Sequence, residues 1–108
     1  MAFDEGLAAE LRHRLGPLGD LAEKRMFGGL CFMHRGHMLC GVNGERMMLR
    51  VGKPNHDAAL VLAGASEMDF TGKPLAGFIY LDPAEAGDEG IAAALALAQA
   101  FNATLPAK

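Results

Sequence analysis

Apolar residues at helical spacing predict an α-helix at each end of the chain. At the start they recur at every fourth position: Phe3, Leu7, Leu11 and Leu15. Gly16-Pro17 is expected to end this helix, because proline restricts the residue before it and glycine is a common C-terminal cap. Near the other end, Asp88 is placed to cap a second helix. Its inward apolar stripe consists of Ile91, Ala94, Leu95, Ala98 and Phe101. A short third helix is predicted from about His56 to Ala63, with Asn55 as its cap.

Between residues 30 and 51 the apolar period shortens from four to two, which predicts a three-stranded antiparallel meander. The strand-like runs are Leu30–His34, His37–Val42 and Glu45–Val51. Arg35-Gly36 and Asn43-Gly44 separate them, and Asn-Gly between apolar runs strongly favours a tight hairpin turn. Leu75–Leu81 is predicted as a later strand, and the charged segment Ala22–Arg25 is interpreted as a connection. This order of elements predicts an α+β fold with an antiparallel sheet, in one domain spanning residues 1–108.

The Asn-Gly turn also predicts which side chains share a face of the sheet, since side chains alternate along a strand. The opposed pairs in this register are Val42/Glu45, Cys40/Met47 and Met38/Leu49. The core face then carries Met38, Cys40, Val42, Met47, Leu49 and Val51. The opposite face carries His37, Leu39, Gly41, Arg46, Met48 and Arg50. We interpret the second face as a half-solvated outer surface, with a contact surface for a second copy or a partner as the alternative.

The composition fits one globular domain rather than a membrane or secreted protein. The 108 residues are 51% hydrophobic and 21% charged, which is enough to form a core. No apolar run reaches the length of about 18 residues that crosses a membrane, and the acidic start lacks the features of a secretory signal. The 2 cysteines cannot build a disulfide framework, and 7 methionines suit a reducing compartment. We therefore expect a cytoplasmic location and no membrane contact.

Charge is unevenly distributed along the chain, whose net charge is −3. Between residues 25 and 56 the single acid Glu45 accompanies five bases: Arg25, Arg35, Arg46, Arg50 and Lys53. A nucleic-acid contact is therefore a second hypothesis. Its residues would be Arg25, Arg46, Arg50 and Lys53. It is not favoured, because the domain is acidic overall, has no tryptophan and has one tyrosine, Tyr80.

The densest group of potential metal ligands is Cys31-x-x-His34…His37-x-x-Cys40. Residues three apart on a regular strand point to opposite faces, so each cysteine diverges from its neighbouring histidine. A two-residue turn at Arg35-Gly36 would pair the cysteines on one face and the histidines on the other; a three-residue loop with a bulge is the alternative. We expect buried reduced cysteines and no metal. A Cys31–Cys40 disulfide with a redox role is a further hypothesis.

The chain shows no recognisable motif for nucleophilic catalysis. Ser66 is the only serine and lacks the Gly-x-Ser-x-Gly elbow. Several acids fit helix starts or turns: Asp4, Asp69, Asp82, Asp88 and Glu89. Gly28-Gly29 lacks a nucleotide-binding pattern and is expected to let the backbone bend or approach a neighbouring strand. We therefore expect no enzyme activity and no cofactor.

A longer pattern begins at Arg25-Met26-Phe27-Gly28-Gly29. A strand, a glycine-containing turn, a second strand and the Asn-Gly turn follow it. The later parts are Met48–Val51, Asp69-Phe70, Gly72–Leu75, Gly77–Leu81 and a closing helix. Over roughly residues 5–105 this pattern resembles the N-terminal domain of the TfoX (Sxy) competence regulators. Its most specific part is Met26-Phe27-Gly28-Gly29.

The resemblance implies a two-layer α+β domain with a curved antiparallel sheet flanked by helices. It implies no catalytic residues, and the role it implies is protein-mediated regulation of transcription. Two features depart from the family. Met47–Gly52 stands where its third strand usually reads Leu-Tyr-Leu-Lys and an acidic residue, and its full-length regulators carry a second, helical domain. We expect a stand-alone domain whose interaction surface binds a protein partner or a second copy, as a homodimer. The residues of that surface are Arg25, Leu39, Arg46, Met48 and Arg50.

Overall fold

Six strands form one antiparallel sheet, and three α-helices pack against one of its faces. The computed structural model describes residues 3–70 and 72–106. Within them the helices are α1 (Glu5–Leu15), α2 (His56–Leu60) and α3 (Pro83–Ala103). The strands are β1 (Leu21–Met26), β2 (Gly29–His34), β3 (His37–Asn43), β4 (Arg46–Arg50), β5 (Ala65–Phe70) and β6 (Lys73–Leu81). Their spatial order is β1-β2-β3-β4-β6-β5, and the predicted α+β class is confirmed. None of the described helices is long and apolar enough to cross a membrane.

The two terminal helices are confirmed, with a difference at the start of α3. Asp4 caps α1, since its carboxylate accepts the N–H of Leu7 at 3.0 Å. In α3 a turn capped by Asp82 precedes the predicted start. The backbone is not helical at Gly87, where φ is 68°, and the long apolar segment follows from Asp88. The predicted stripe then faces the sheet and is buried, apart from a half-buried residue at its end.

The short helix α2 is confirmed but ends at Leu60, earlier than predicted. Asn55 occupies the predicted N-cap position, but its side chain makes no capping hydrogen bond. Its amide instead donates to the Val51 carbonyl at 3.1 Å, which ties the start of α2 back to the end of β4.

The two edge strands, β1 and β5, are not predicted by the sequence pattern. β1 lies on the charged segment interpreted as a connection, and β5 includes Asp69, interpreted as a turn residue. The four central residues of β1 are exposed. Charge on an edge strand discourages pairing with other chains, but it also removes the alternation of apolar residues by which a strand is recognised.

The β3–β4 hairpin differs from the prediction in register but not in its faces. Asn43 pairs with Arg46, so the turn residues are Gly44-Glu45 rather than Asn43-Gly44. In this position the Asn43 side-chain amide donates to the Phe27 carbonyl at 2.6 Å. Because the register is displaced by an even number of residues, each side chain of β4 keeps its predicted face.

A β-bulge at Leu39 overturns part of the face assignment. Arg35-Gly36 forms a two-residue turn rather than the alternative three-residue loop, with φ of 57° and 84°. Further along, the pairing of β2 with β3 passes over Leu39. Leu39 therefore packs into the core beneath the helices, and Met38 packs on the other face, the reverse of the prediction.

The sheet buries side chains on both faces. The largest fully buried residues of the helix-facing core include Leu11, Leu15, Phe32, Met47, Leu49, Ile79 and Leu81. A second cluster on the face without helices consists of Cys31, Met38, Met48, Met68 and Tyr80. Partly buried residues pack against it: Met26, Phe27, Met33, Leu75 and Phe78. The half-solvated outer surface predicted for this face is therefore wrong over much of its area.

The face without helices is concave. Phe27 lies in the β1–β2 turn and Phe78 in β6, and their ring centroids are 6.2 Å apart. Two strands separate β2 from β6, which in a flat sheet would place them about 14 Å apart. The sheet must therefore curl over this face, as the family resemblance implied, and we call it the concave face.

Leu39→Ala should destabilise the protein by about 2–5 kcal/mol, because it removes a fully buried side chain from the helix-facing core. Val61→Ala is the matched control at an 84% exposed position, and should change the free energy of unfolding by less than about 0.5 kcal/mol. Urea denaturation measures both values. Equal effects of the two substitutions would contradict the bulge.

Candidate interaction site

The motif Met26-Phe27-Gly28-Gly29 forms the turn between β1 and β2. Its two central residues have positive φ, 55° at Phe27 and 74° at Gly28, as a tight hairpin turn requires. Positive φ is uncommon for a bulky residue such as phenylalanine. The Phe27 carbonyl accepts the hydrogen bond from Asn43, which fastens the turn to the end of β3.

The last glycine of the motif permits a close approach of two strands. A Cβ atom at Gly29 would lie 2.0 Å from the Val42 carbonyl oxygen, a separation that no side chain can adopt. The predicted approach of the backbone to a neighbour at the strand's start is thereby confirmed.

Beside the motif turn, the concave face opens into an apolar cleft of about 270 Å³, which we call the methionine cleft. It is lined by Met26, Phe27, Met33, Gly36, His37, Met38, Arg50 and Phe78. Methionine side chains are flexible and polarizable, so a surface that they line can adapt to different apolar groups.

A second cleft of about 270 Å³ adjoins the first and shares Arg50 and Phe78 with it. We call it the lysine cleft; its other lining residues are Gly52, Lys53, Pro54, Ala76, Gly77 and Phe101. Its backbone is fixed, because the N–H groups of Val51 and Gly52 both donate to the Gly77 carbonyl, at 2.8 and 3.0 Å. The two clefts are therefore neighbours on either side of Arg50, and we call the pair the depression; the methionine cleft lies on the concave face, and the lysine cleft reaches Phe101 of α3.

The cations of this depression lack acidic partners. Among the described residues no Asp or Glu lines either cleft, and neither Arg50 nor Lys53 forms a salt bridge. The Arg50 guanidinium instead lies over two aromatic rings, 5.7 Å from the centroid of Phe78 and 5.4 Å from that of Phe101. The depression therefore combines an apolar floor with uncompensated positive charge.

The two arginines of α1 are paired with carboxylates. Arg12 donates to Glu23 through two nitrogens, at 2.6 and 2.9 Å, and this hydrogen bonding raises the pKa of Arg12 and lowers that of Glu23. Arg14 is bonded to Glu10 and Asp88. Arg50 and Lys53 therefore differ from Arg12 and Arg14 and, like Arg25 and Arg46, have no acidic partner among the described residues.

Three of the five residues predicted as an interaction surface do share the concave face: Arg46, Met48 and Arg50. Arg46 is exposed and stacks on Tyr80, with its guanidinium carbon 3.7 Å from the ring centroid. Met48 lies beneath them and is fully buried. Its prediction as an accessible contact residue is therefore wrong.

The other two residues lie elsewhere. Leu39 is fully buried beneath the helices because of the bulge, so it too was wrongly predicted as a contact residue. Arg25 stacks on Phe3, 5.5 Å from the ring centroid, on the helix-facing side of β1. Arg25 therefore does not join Arg46 and Arg50 in one surface.

The Cys/His hairpin does not bring its ligands together. Cys31 lies opposite Gly41 and packs on the concave face, whereas Cys40 packs beneath the helices. The bulge thus places the two thiols on opposite faces of the sheet, which opposes the disulfide hypothesis. His37 bonds through Nε2 to the Pro106 carbonyl at 2.7 Å. Within residues 3–70 and 72–106, no three His, Cys, Asp or Glu side chains are close enough to hold a metal ion.

A larger cleft, of about 430 Å³, lies at the opposite end of β4 and is lined by several carboxylates. Two of these already serve the helices: Asp4 caps α1, and Asp82 accepts the Ala84 N–H at 2.9 Å. Helix capping therefore explains these two acids, as predicted for Asp4, whereas Asp82 was expected in a turn and the cap of the last helix was expected at Asp88.

Sequence reasoning missed the aromatic part of the depression. Phe101 was assigned only to the inward stripe of the last helix, and Phe78 to a strand buried on both faces. The alternation within Leu75–Leu81 does place Phe78 and Tyr80 on one parity, but only the curl of the sheet brings Phe78 to the motif turn.

The family model described as the TfoX N-terminal domain matches residues 13–103. This range contains all six strands, the motif turn and both clefts. No curated protein and no solved structure matches the chain.

Gly29→Ala should destabilise the protein by about 1–3 kcal/mol, because the added methyl group collides with backbone of β3. Val61→Ala is the control, a change of side-chain size at an exposed position. It should change the free energy of unfolding by less than about 0.5 kcal/mol. Thermal and urea denaturation measure the two variants. A harmless Gly29→Ala would contradict the close approach of β2 to β3.

Both thiols should resist alkylation by iodoacetamide in the folded protein near pH 8 and react after unfolding. Burial raises the pKa of Cys31 to about 11 and that of Cys40 well above its ordinary value, so both remain protonated. Mass spectrometry counts the modified residues. Rapid labelling of Cys40 without unfolding would contradict its burial in the helix-facing core.

The raised pKa of Cys31 also predicts a loss of stability in alkaline solution. Below the ordinary thiol pKa of 9.0, Cys31 is protonated in both states and pH has no effect through it. Between pH 9.0 and about 11 only the unfolded thiol ionises, so stability falls by up to about 1.4 kcal/mol per pH unit through this group. Cys31→Ala should therefore show a shallower decline over this range in urea denaturation. An identical decline in both proteins would contradict the shift.

Proposed function

The chain belongs to the TfoX N-terminal domain family, and we propose that it is a non-enzymatic regulatory module that acts by binding a protein partner. The family points to a module of the kind found in competence and transcription regulators. The observation that supports binding is the depression on the concave face, where methionines and phenylalanines lie beside cations without acidic partners. The family's motif residues Met26 and Phe27 line this depression directly.

The depression fits a protein segment better than a nucleic acid. Proteins that bind single strands stack bases on free aromatic faces. Here guanidinium groups cover those faces: Arg50 lies over Phe78 and Phe101, and Arg46 over Tyr80. An apolar floor and a charged rim are typical of a surface that receives side chains of both kinds.

The five basic residues between positions 25 and 56 are also dispersed in three dimensions. Arg25 lies on the helix-facing side over Phe3, and Arg35 donates to the Asn102 carbonyl at 2.8 Å. Only Arg46, Arg50 and Lys53 are left near the concave face. A phosphate backbone would therefore find few aligned cations, which favours the protein-binding proposal over the nucleic-acid hypothesis.

The state of the reactive groups agrees with a non-enzymatic role. Both thiols are buried and protonated, and the thiolate is the nucleophilic form of cysteine. The carboxylates of Asp4 and Asp82 are engaged as helix caps.

Photo-crosslinking tests the proposal. Benzoylphenylalanine at Met33, half-buried in the methionine cleft, should form a discrete adduct with another protein in the native host. The same group at exposed Val61 is the control for nonspecific capture. Mass spectrometry identifies the adduct, and Arg50→Glu in the Met33-labelled chain should diminish it. Equal adducts at both positions, or adducts with nucleic acid alone, would contradict the proposal. Adducts between two copies of the chain only would assign the depression to self-association instead.

A further inference from the structure

We infer that the partner segment bound on the concave face is acidic and carries a carboxylate within two residues of a large apolar side chain. Arg50 binds this carboxylate. This inference rests on the proposed function, because it names the chemistry of the partner bound at the same depression. It concerns the two adjoining clefts and the one arginine that lines both.

Arg50 is held in place without using its hydrogen-bonding capacity. Its guanidinium faces two aromatic rings and makes no hydrogen bond with another described residue. A guanidinium offers five N–H donors in a planar fork that matches a carboxylate. Such charge-assisted hydrogen bonds are stronger than those between neutral groups, so a carboxylate is the group that Arg50 is best suited to bind.

Both clefts have a mainly apolar lining, and they differ in charge. The methionine cleft has an adaptable apolar floor, backed by the buried side chains of Met48 and Met68. The lysine cleft adds the positive charge of Lys53 to that of Arg50. An apolar group in the first and an acidic group at the second would satisfy both surfaces.

The distance between the clefts limits how far apart the two recognised side chains can be along the bound segment. Both clefts include Arg50 and Phe78, so their occupants lie next to each other. In an extended chain, neighbouring residues are about 3.3–3.6 Å apart, and residues two positions apart point to the same side. The carboxylate and the large apolar side chain therefore belong within two positions of each other.

Charge complementarity selects an acidic segment over a basic or neutral one. The net charge of the chain is −3, so an acidic segment is not drawn to the protein as a whole. Arg50 and Lys53 line the lysine cleft and have no acidic partner among the described residues, so such a segment can be stabilised locally.

Selection from a display library of random eight-residue segments on the full chain tests this inference. An Arg50→Glu chain provides the counter-selection. Enriched segments should carry aspartate or glutamate within two residues of leucine, isoleucine, methionine or phenylalanine. Enrichment without an acidic bias would overturn the inference.

Synthetic peptides with enriched sequences then measure the role of Arg50 by fluorescence anisotropy. Affinity should fall about tenfold or more with Arg50→Glu, and less with Arg50→Lys. Replacing the peptide's carboxylate by its amide should have an effect similar to Arg50→Glu. Arg46→Glu is the matched control: it makes the same charge change on the same face of β4, about 13 Å away. Its effect should be less than about twofold, and an equal loss for both variants would overturn the assignment to Arg50.

Methionine-methyl NMR separates failure of this inference from failure of the proposed function. Peptide binding should shift the methyl signals of Met26, Met33 and Met38, and leave Met47 beneath the helices unchanged. Shifts by peptides without carboxylates would overturn the acidic preference and leave the proposed function standing. Absence of shifts with every selected peptide would overturn both. Tighter binding of a thymidine oligonucleotide at the same methyl groups would replace both by the nucleic-acid hypothesis.

Discussion

The fold depends on how closely β2 and β3 approach each other. A Cβ atom at Gly29 or at Gly41 would lie 2.0 or 2.6 Å from a carbonyl oxygen of the opposite strand, so only glycine fits at either position. The bulge at Leu39 adds local twist to the same pair of strands. Together these features accommodate the curl that brings Phe27 to Phe78 and makes one face of the sheet concave.

The two faces of the curled sheet have different physical characters. Three helices seal one face with leucine, isoleucine and alanine side chains, most of them fully buried. The concave face is closed by its own turns and by methionines, with half-buried residues at its margin. Adaptable methionine side chains lie beside Arg50 on the concave face, and Arg50 has no acidic partner among the described residues. This is why we propose that side of the domain as the binding surface, whereas the helix-facing side contains the larger core.

The candidate site was predictable in part. Alternation along β4 assigns Arg46, Met48 and Arg50 to one face, and the even displacement of the hairpin preserved that assignment. Alternation cannot reveal that the sheet curls, so it gave no sign that Met48 is buried while the arginines flanking it lie on aromatic rings. It also placed Leu39 on the wrong face, because a bulge inserts one residue without leaving a signature in hydrophobic spacing.

The sequence by itself determined the α+β class, the three helices, the central meander and the family, because apolar spacing, turn residues and the Met26–Gly29 motif are local signals. Only the tertiary structure decided two features: the edge strands, and the contact of Arg50 with the rings of Phe78 and Phe101. An edge strand needs a partner rather than an apolar period. The depression joins residues from β4, β6 and α3, and their proximity depends on how far the sheet curls.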